Sequence, residues 1–339
     1  MQLTASIYFG LFVGIAWVEE AFGTKCGMIA GYLHWVSGAT DNAIYPSLFL
    51  HYVVSIFKSP EDDELSNSLR FFFTFIMTVI LAWVNYRGLE IVGMMSIIVC
   101  IISMSPFVAM CLIGIVQVKP SRWFQLPIDV STVLSNSDDD FGNTGLFPSP
   151  YWANVLWRPL LNNLFWNLNC FDAAGSFSGE IADPGRVFPR AMGYGVLLVI
   201  LGYLLPLLVA LGATETNQLD WSEGYLANVA TQIGGKWLGA WIVFASGVSN
   251  LALFEAEMSS DAYQLMGMAN RGLFPKIFSV QSKYDTPTYG ILLGTFIIIL
   301  MSVADFAALV EMLNFAYSLA LLIEFAAFIK LRVSHADGT

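Results

Sequence analysis

Charge is scarce in this chain. Only 12% of its 339 residues are Asp, Glu, Lys or Arg, about half the share of an ordinary soluble domain. Bases are the scarcer sign, 15 against 26 acids, for a net charge of −11. That balance excludes a nucleic-acid partner, because phosphate binding needs a basic surface. The four cysteines (Cys26, Cys100, Cys111, Cys170) stand far apart with no Cys-x-x-Cys pair, and the three histidines (His34, His51, His335) are equally scattered. No zinc framework can be drawn from them, and the cysteines read as small residues packed between helices. No metal and no cofactor is expected.

What remains is apolar. Hydrophobic residues make up 56% of the chain and the mean hydropathy is +0.65, which points to an all-α polytopic membrane protein. A bilayer core needs about 20 apolar helical residues to cross it. Uncharged or nearly uncharged runs of that order give eight spans, at 26–57, 69–86, 91–116, 159–180, 189–213, 237–268, 287–304 and 306–329. They form a transmembrane bundle over 26–330 within a single membrane domain, 1–339, with no soluble module. Within residues 1–22, Met1–Val18 is also uncharged but holds Gly10 and Gly14 and lacks the basic start of a signal peptide. It reads as a ninth span, a re-entrant piece or the remnant of a longer helix.

The loops orient the bundle. Alternate loops place Lys25, Arg87, Arg186, Arg190, Arg271, Lys276, Lys283, Lys330 and Arg332 on one side. The other side holds Lys58, Arg70, Lys119, Arg122, Arg158 and Lys236 among acidic runs such as Glu61–Glu64 and Asp138–Asp140. The excess of bases puts the first side in the cytoplasm. Residues 117–158, long and rich in Ser, Asp and Pro, then form a non-cytoplasmic loop.

Inside the spans lie Asp41, Asp172, Glu255, Glu257, Asp261, Asp305, Glu311 and Glu324, with no Lys or Arg. A carboxylate at the bilayer centre costs about 2–3 kcal/mol on the insertion scale, so each needs a proton, a cation or water. Without internal bases, salt bridges are not expected, and the lining suits a cationic cargo. Asp261, Asp305 and Glu324 read rather as helix-end acids in the headgroup region. At about 100° per residue, His34, Ser37, Asp41, Tyr45 and Tyr52 share one stripe. Ser246, Asn250, Glu257 and Asp261 share another, and Glu311, Asn314 and Ser318 a third. Glu255 points away from Glu257 and falls outside the pathway. Three polar stripes on apolar helices are what a wet route between helices requires, although interhelical hydrogen bonding alone accounts for any one of them.

The segment LNNLFWNLNCFDAAGSFSGE (161–180) carries Asn167, Asn169, Asp172 and then a run of small residues. Asn, Ser and Gly favour non-helical backbone, so the segment reads as a discontinuous helix whose freed backbone lines a cavity. An ordinary helix packed through small residues is the alternative. Trp166 offers an aromatic face for an ammonium group, or equally a face for lipid. A weak internal repeat aligns Ser37–Tyr45 with Ser246–Phe254, as an inverted repeat predicts.

Several runs carry a family resemblance: SGATDNAIYPSLFL (37–50), NYRGLEIVG (85–93), LFWNLNCFD (164–172), GEIADPGRVFPRA (179–191), GGKWL (234–238), AEMSSDAYQLMGM (256–268) and LIEFAAFIKLR (322–332). In order and spacing the chain resembles polyamine uptake transporters of the amino acid–polyamine–organocation superfamily. The resemblance implies a five-plus-five inverted-repeat bundle. The eight spans would be helices three to ten of twelve, with no counterpart here for the first helix, most of the second, or the last two. It puts Asp41 on the third helix, Asp172 on the broken sixth and Glu257 on the eighth. The implied activity is proton-coupled uptake of polyamines of the putrescine and spermidine class.

The expected substrate-binding residues are accordingly Asp41, Tyr45, Trp166, Asn167, Asn169, Asp172, Asn250 and Glu257. Asp41, Asp172 and Glu257 are the candidates for carrying a proton. The expected partners are a small cationic substrate, a proton and the lipid bilayer, in the plasma membrane or, as the alternative, an internal one. A transporter of neutral or cationic amino acids is the runner-up, disfavoured because its cargo's carboxylate would be repelled by these acids. A fragment inactive by itself is a further reading. An intramembrane enzyme lacks a Gly-x-Gly-Asp, a His-Glu-x-x-His or a Ser–His constellation. A cation channel would leave the broken helix without a purpose.

Overall fold

The computed structural model describes residues 13–57, 66–124, 157–169, 183–215, 221, 224–302, 304 and 306–336. Asp172, Asp305 and most of the 117–158 loop lie outside the described residues. Eleven α-helices appear among the residues described: α1 (Val13–Phe22), α2 (Thr24–Asn42), α3 (Ile44–Phe57), α4 (Asn67–Tyr86), α5 (Leu89–Gly114), α6 (Trp157–Leu168), α7 (Pro184–Ala213), α8 (Tyr225–Gly234), α9 (Lys236–Asn270), α10 (Thr288–Met301) and α11 (Phe306–Ala336). Among these residues the extended pairing is limited to one isolated bridge, Gln281 with Pro287.

Five helical stretches are long and apolar enough to cross a membrane: Ser68–Tyr86, Leu89–Gln117, Gly185–Ala213, Lys236–Asn270 and Phe306–Ser334. They coincide with five of the eight expected spans. Thr288–Met301 is apolar but shorter. The outer surfaces of α4, α5 and α7 expose Phe72, Trp83, Ile97, Ile101, Leu112, Leu197 and Leu204. Such a surface is suited to lipid, whose tails are as apolar as the side chains themselves.

The 35-residue α9 is the axis of the bundle. It packs against α2, α3, α4, α5, α8 and α10, while α11 closes the other side of α2 and rests on α1 and α6. One core gathers Ile44, Tyr45, Leu81, Phe254, Met258, Ile291, Val310 and Leu313. A second gathers Met110, Val209, Val229, Leu238 and Ile242 around α5, α7 and α8.

One expected element is divided. The span 26–57 is two helices, separated at Ala43. Pro46 explains the seam, since it has no N–H to give the carbonyl of Asn42 one turn back, and its ring crowds that carbonyl. Of the apolar N-terminal segment, the described residues Val13–Phe22 are helical, and residues 1–12 lie outside the described residues. The described part of the fourth expected span, α6, ends at Leu168, and Asn169 already stands outside the helix.

A carboxylate cluster between α2, α6 and α9

Asp41 lies in the last turn of α2 and is only 4% exposed. Tyr45 follows it at i+4 across the seam, and its hydroxyl donates to Asp41 Oδ2 at 2.6 Å. From α6, the indole N–H of Trp166 donates to Asp41 Oδ1 at 2.8 Å. A carboxylate has about four lone-pair sites, so two neutral donors orient it and leave acceptor capacity in hand. The Trp166 ring also meets Phe306 edge to face, with centroids 5.4 Å apart. It therefore forms a wall above Asp41 rather than a lipid contact.

Asp261 joins this cluster from α9. Its carboxylate lies against the backbone of α2 at Gly38, where any Cβ would overlap its oxygens. The charges of Glu257 and Asp41 both act on it. The reading of Asp261 as a helix-end acid is thus overturned: it is buried, one turn from Glu257 on the same face of α9. The signal was present in the shared stripe, but hydropathy at the end of a span outweighed it. Three carboxyl groups from two helices converge here, and among the described residues the groups acting on Asp41 and Asp261 are acids, a tyrosine and a tryptophan rather than a Lys or Arg.

The remaining expected residues fall elsewhere. Asn167 is exposed on α6, donates to the Asn163 carbonyl at 2.8 Å, and accepts from the Tyr203 hydroxyl of α7 at 3.4 Å. It points away from Asp41, because one residue turns the helix by about 100°. Asn250 is buried and donates to its own helix, at the Ser246 carbonyl, 2.8 Å away. Asn169 is half-buried, with its amide nitrogen enclosed and without a hydrogen-bond partner. Asp172 lies outside the described residues.

The acids also find bases that the sequence reading did not grant them. Arg158, at the start of α6, pairs with Glu311 at 2.6 Å, with side chains 62% and 47% exposed. Four residues on, Asn162 accepts from the Asn314 amide, so α6 and α11 are laced along one line. Glu324 lies 2.9 Å from His34 Nε2 in a buried pair. The base for Glu311 comes from a helix start that was counted as loop, and the partner for Glu324 from a histidine counted as neutral. Glu255, 1% exposed, is held at α4: the Asn85 amide donates to its Oε2 at 3.0 Å and to its carbonyl at 2.8 Å, and Ser259 donates to Asn85 Oδ1 at 3.0 Å. That agrees with a face distinct from that of Glu257.

Comparison with known proteins agrees with this architecture. The profile described as amino acid permease matches residues 14–338. A probable polyamine transporter of Arabidopsis thaliana is 40% identical over 324 residues, 95% of this chain and 62% of the relative. A polyamine transporter of Oryza sativa subsp. japonica is 39% identical over 324 residues, 96% of this chain and 56% of the relative. An L-asparagine permease of Streptomyces coelicolor is 25% identical over 289 residues, 82% of this chain and 54% of the relative. The chain spans about three fifths of the length of the polyamine transporters it matches.

Proposed function

The chain belongs to the amino acid permease family, and from that premise we propose that it is the central part of a secondary transporter for polyamines, driven by protons. It is an integral, multi-pass membrane protein, and its described helices form part of an all-α transporter bundle of the amino acid–polyamine–organocation superfamily. The work assigned to it is transport rather than catalysis, in the plasma membrane.

The observation that carries the cargo reading is the environment of Asp41. It is a buried carboxylate whose two hydrogen-bond partners, Tyr45 and Trp166, are both neutral, and Asp261 and Glu257 stand beside it. Such a cluster attracts a di- or polycation and repels a carboxylate-bearing cargo. A primary ammonium brings three donors, which suit the acceptor capacity left on Asp41, and the indole face of Trp166 adds a cation–π surface. Asp172 follows Trp166 by six residues and supplies a further counter-charge from the segment after α6. The polyamine transporters among the relatives support the same cargo.

Transport of neutral or cationic amino acids is the second reading, favoured by the family's description and by the likeness to an L-asparagine permease. Uptake of labelled putrescine, spermidine and leucine into vesicles holding the full-length protein, with and without an imposed proton gradient, separates the two. Gradient-driven putrescine or spermidine uptake, with leucine excluded, is the expected result. Leucine uptake with polyamines excluded would overturn the cargo assignment.

A further inference from the structure

His34 and Glu324 meet where α1, α2 and α11 come together. His34 Nε2 and Glu324 Oε1 are 2.9 Å apart, with side chains only 6% and 11% exposed. The Glu324 carboxylate lies directly against the backbone of α1 at Gly14, in the space a Cβ would fill there. The His34 ring stands edge-on to Tyr317, centroids 5.3 Å apart, and Tyr317 in turn meets Phe165, the neighbour of Trp166. Along α2, His34 precedes Asp41 by seven residues, about two turns, on the same stripe.

The charged groups on the packed elements have partners of their own or lie beyond the pair. From α1, Glu19 is paired with Arg271 at the end of α9, 2.9 Å away. From α11, Lys330 donates to the Ala21 carbonyl, and Arg158 of α6 is taken by Glu311. Asp41 of α2, with Asp261 and Glu257 of α9, forms the cluster already described. Glu20 and Lys25 are exposed at the basic end of the bundle, and α10 brings no acid or base. The pair is an acid–base couple set between the carboxylate cluster and the end that the loop charges place in the cytoplasm.

We propose that His34 and Glu324 together bind the transported proton and release it on the cytoplasmic side, an inference that rests on the proton-coupled reading above. With one proton held by the pair, imidazole and carboxylate are neutral overall and suit their dry surroundings. On release, the proton passes to water at the inner end, leaving a neutral imidazole and a carboxylate with net charge −1. That lone charge against the α1 backbone is unfavourable in an apolar medium. It favours water entry and separation of α1 and α11 from α2, which is an opening on the inner side. Reprotonation restores the packed arrangement.

The test uses the full-length protein in vesicles and two measurements on Glu324→Gln and His34→Gln, both of which keep size and polarity. One is accumulation of labelled putrescine driven by an inward proton gradient. The other is putrescine exchange at equal pH, which needs no net proton movement. The expected result is exchange within about twofold of the unmodified protein and gradient-driven accumulation lowered about tenfold or more. Variants that accumulate putrescine as well as the unmodified protein overturn the inference. Unmodified protein that exchanges putrescine but ignores the gradient overturns the coupling reading and this inference with it. Where a glutamine variant loses both activities through misfolding, Glu324→Asp decides. Recovered gradient-driven uptake with a displaced pH profile supports the site, and an unrecovered or undisplaced profile overturns it.

Discussion

The indole N–H of Trp166 donates to Asp41 Oδ1 at 2.8 Å, joining two residues 125 positions apart. This contact makes α6 and α2 share one carboxylate, which Tyr45 holds from the other side. Asp41→Asn keeps the shape and removes the charge. A hydrogen bond to a charged group contributes about 1.5–3 kcal/mol, and each 1.4 kcal/mol is about tenfold in affinity. The expected outcome is polyamine affinity lowered about tenfold or more with normal surface expression. Trp166→Phe, which keeps a ring and loses the N–H, falls between this variant and the unmodified protein. Labelled spermidine uptake over a concentration series reads both.

Glu257 and Glu255 are two residues apart and do different work. Glu257→Gln is expected to lower polyamine uptake, because Glu257 belongs to the cluster at Asp261. Glu255→Gln preserves an acceptor for Asn85 and is expected to leave uptake close to normal. Glu255→Ala leaves the Asn85 amide only the Glu255 carbonyl as acceptor, at about 1 kcal/mol of stability, and is read by thermal melting in detergent. Equal loss of uptake in the two glutamine variants would refute the division between the faces of α9.

Gly38→Ala places a methyl group where the Asp261 carboxylate lies. Overpacking of this kind costs about 1–3 kcal/mol, so lower folded yield or lower uptake is expected. Gly93→Ala on α5 meets no atom within 4 Å and serves as the control. Equal behaviour of the two variants in expression and transport would show that the α2–α9 approach is not tight.

Asp172→Asn tests the second counter-charge. Removal of its charge is expected to weaken polyamine binding, and each 1.4 kcal/mol lost is about tenfold in affinity. A normally expressed variant with unchanged polyamine affinity would leave Asp172 a structural residue.

Much of the architecture was legible because lipid imposes a one-dimensional rule. Long uncharged runs become helices, and α4, α5, α7, α9 and α11 fall where hydropathy puts them. Asp41 and Tyr45 were legible as a pair for the same kind of reason, since i and i+4 share a helical face. The break at Ala43 was written in Pro46, but hydropathy weighs side chains and not missing backbone donors. Trp166 with Asp41, Arg158 with Glu311, and His34 with Glu324 were not legible as contacts. Each joins residues more than a hundred positions apart, and no periodicity within one helix reports which face of another it meets. The contact of Asn167 with Tyr203 of α7 was equally out of reach of a single-helix pattern.

The seam between α2 and α3 ties chemistry to mechanics. Pro46 leaves the Asn42 carbonyl without its usual donor, so the chain is softer in bending there than anywhere a full ladder runs. The Tyr45 hydroxyl reaches back over this soft point to Asp41 and works as a clasp across a hinge. Any change in what the Asp41 carboxylate bonds is therefore passed directly to the joint between α2 and α3. The bend of this rod is thereby tied to the hydrogen bonding of one buried carboxylate.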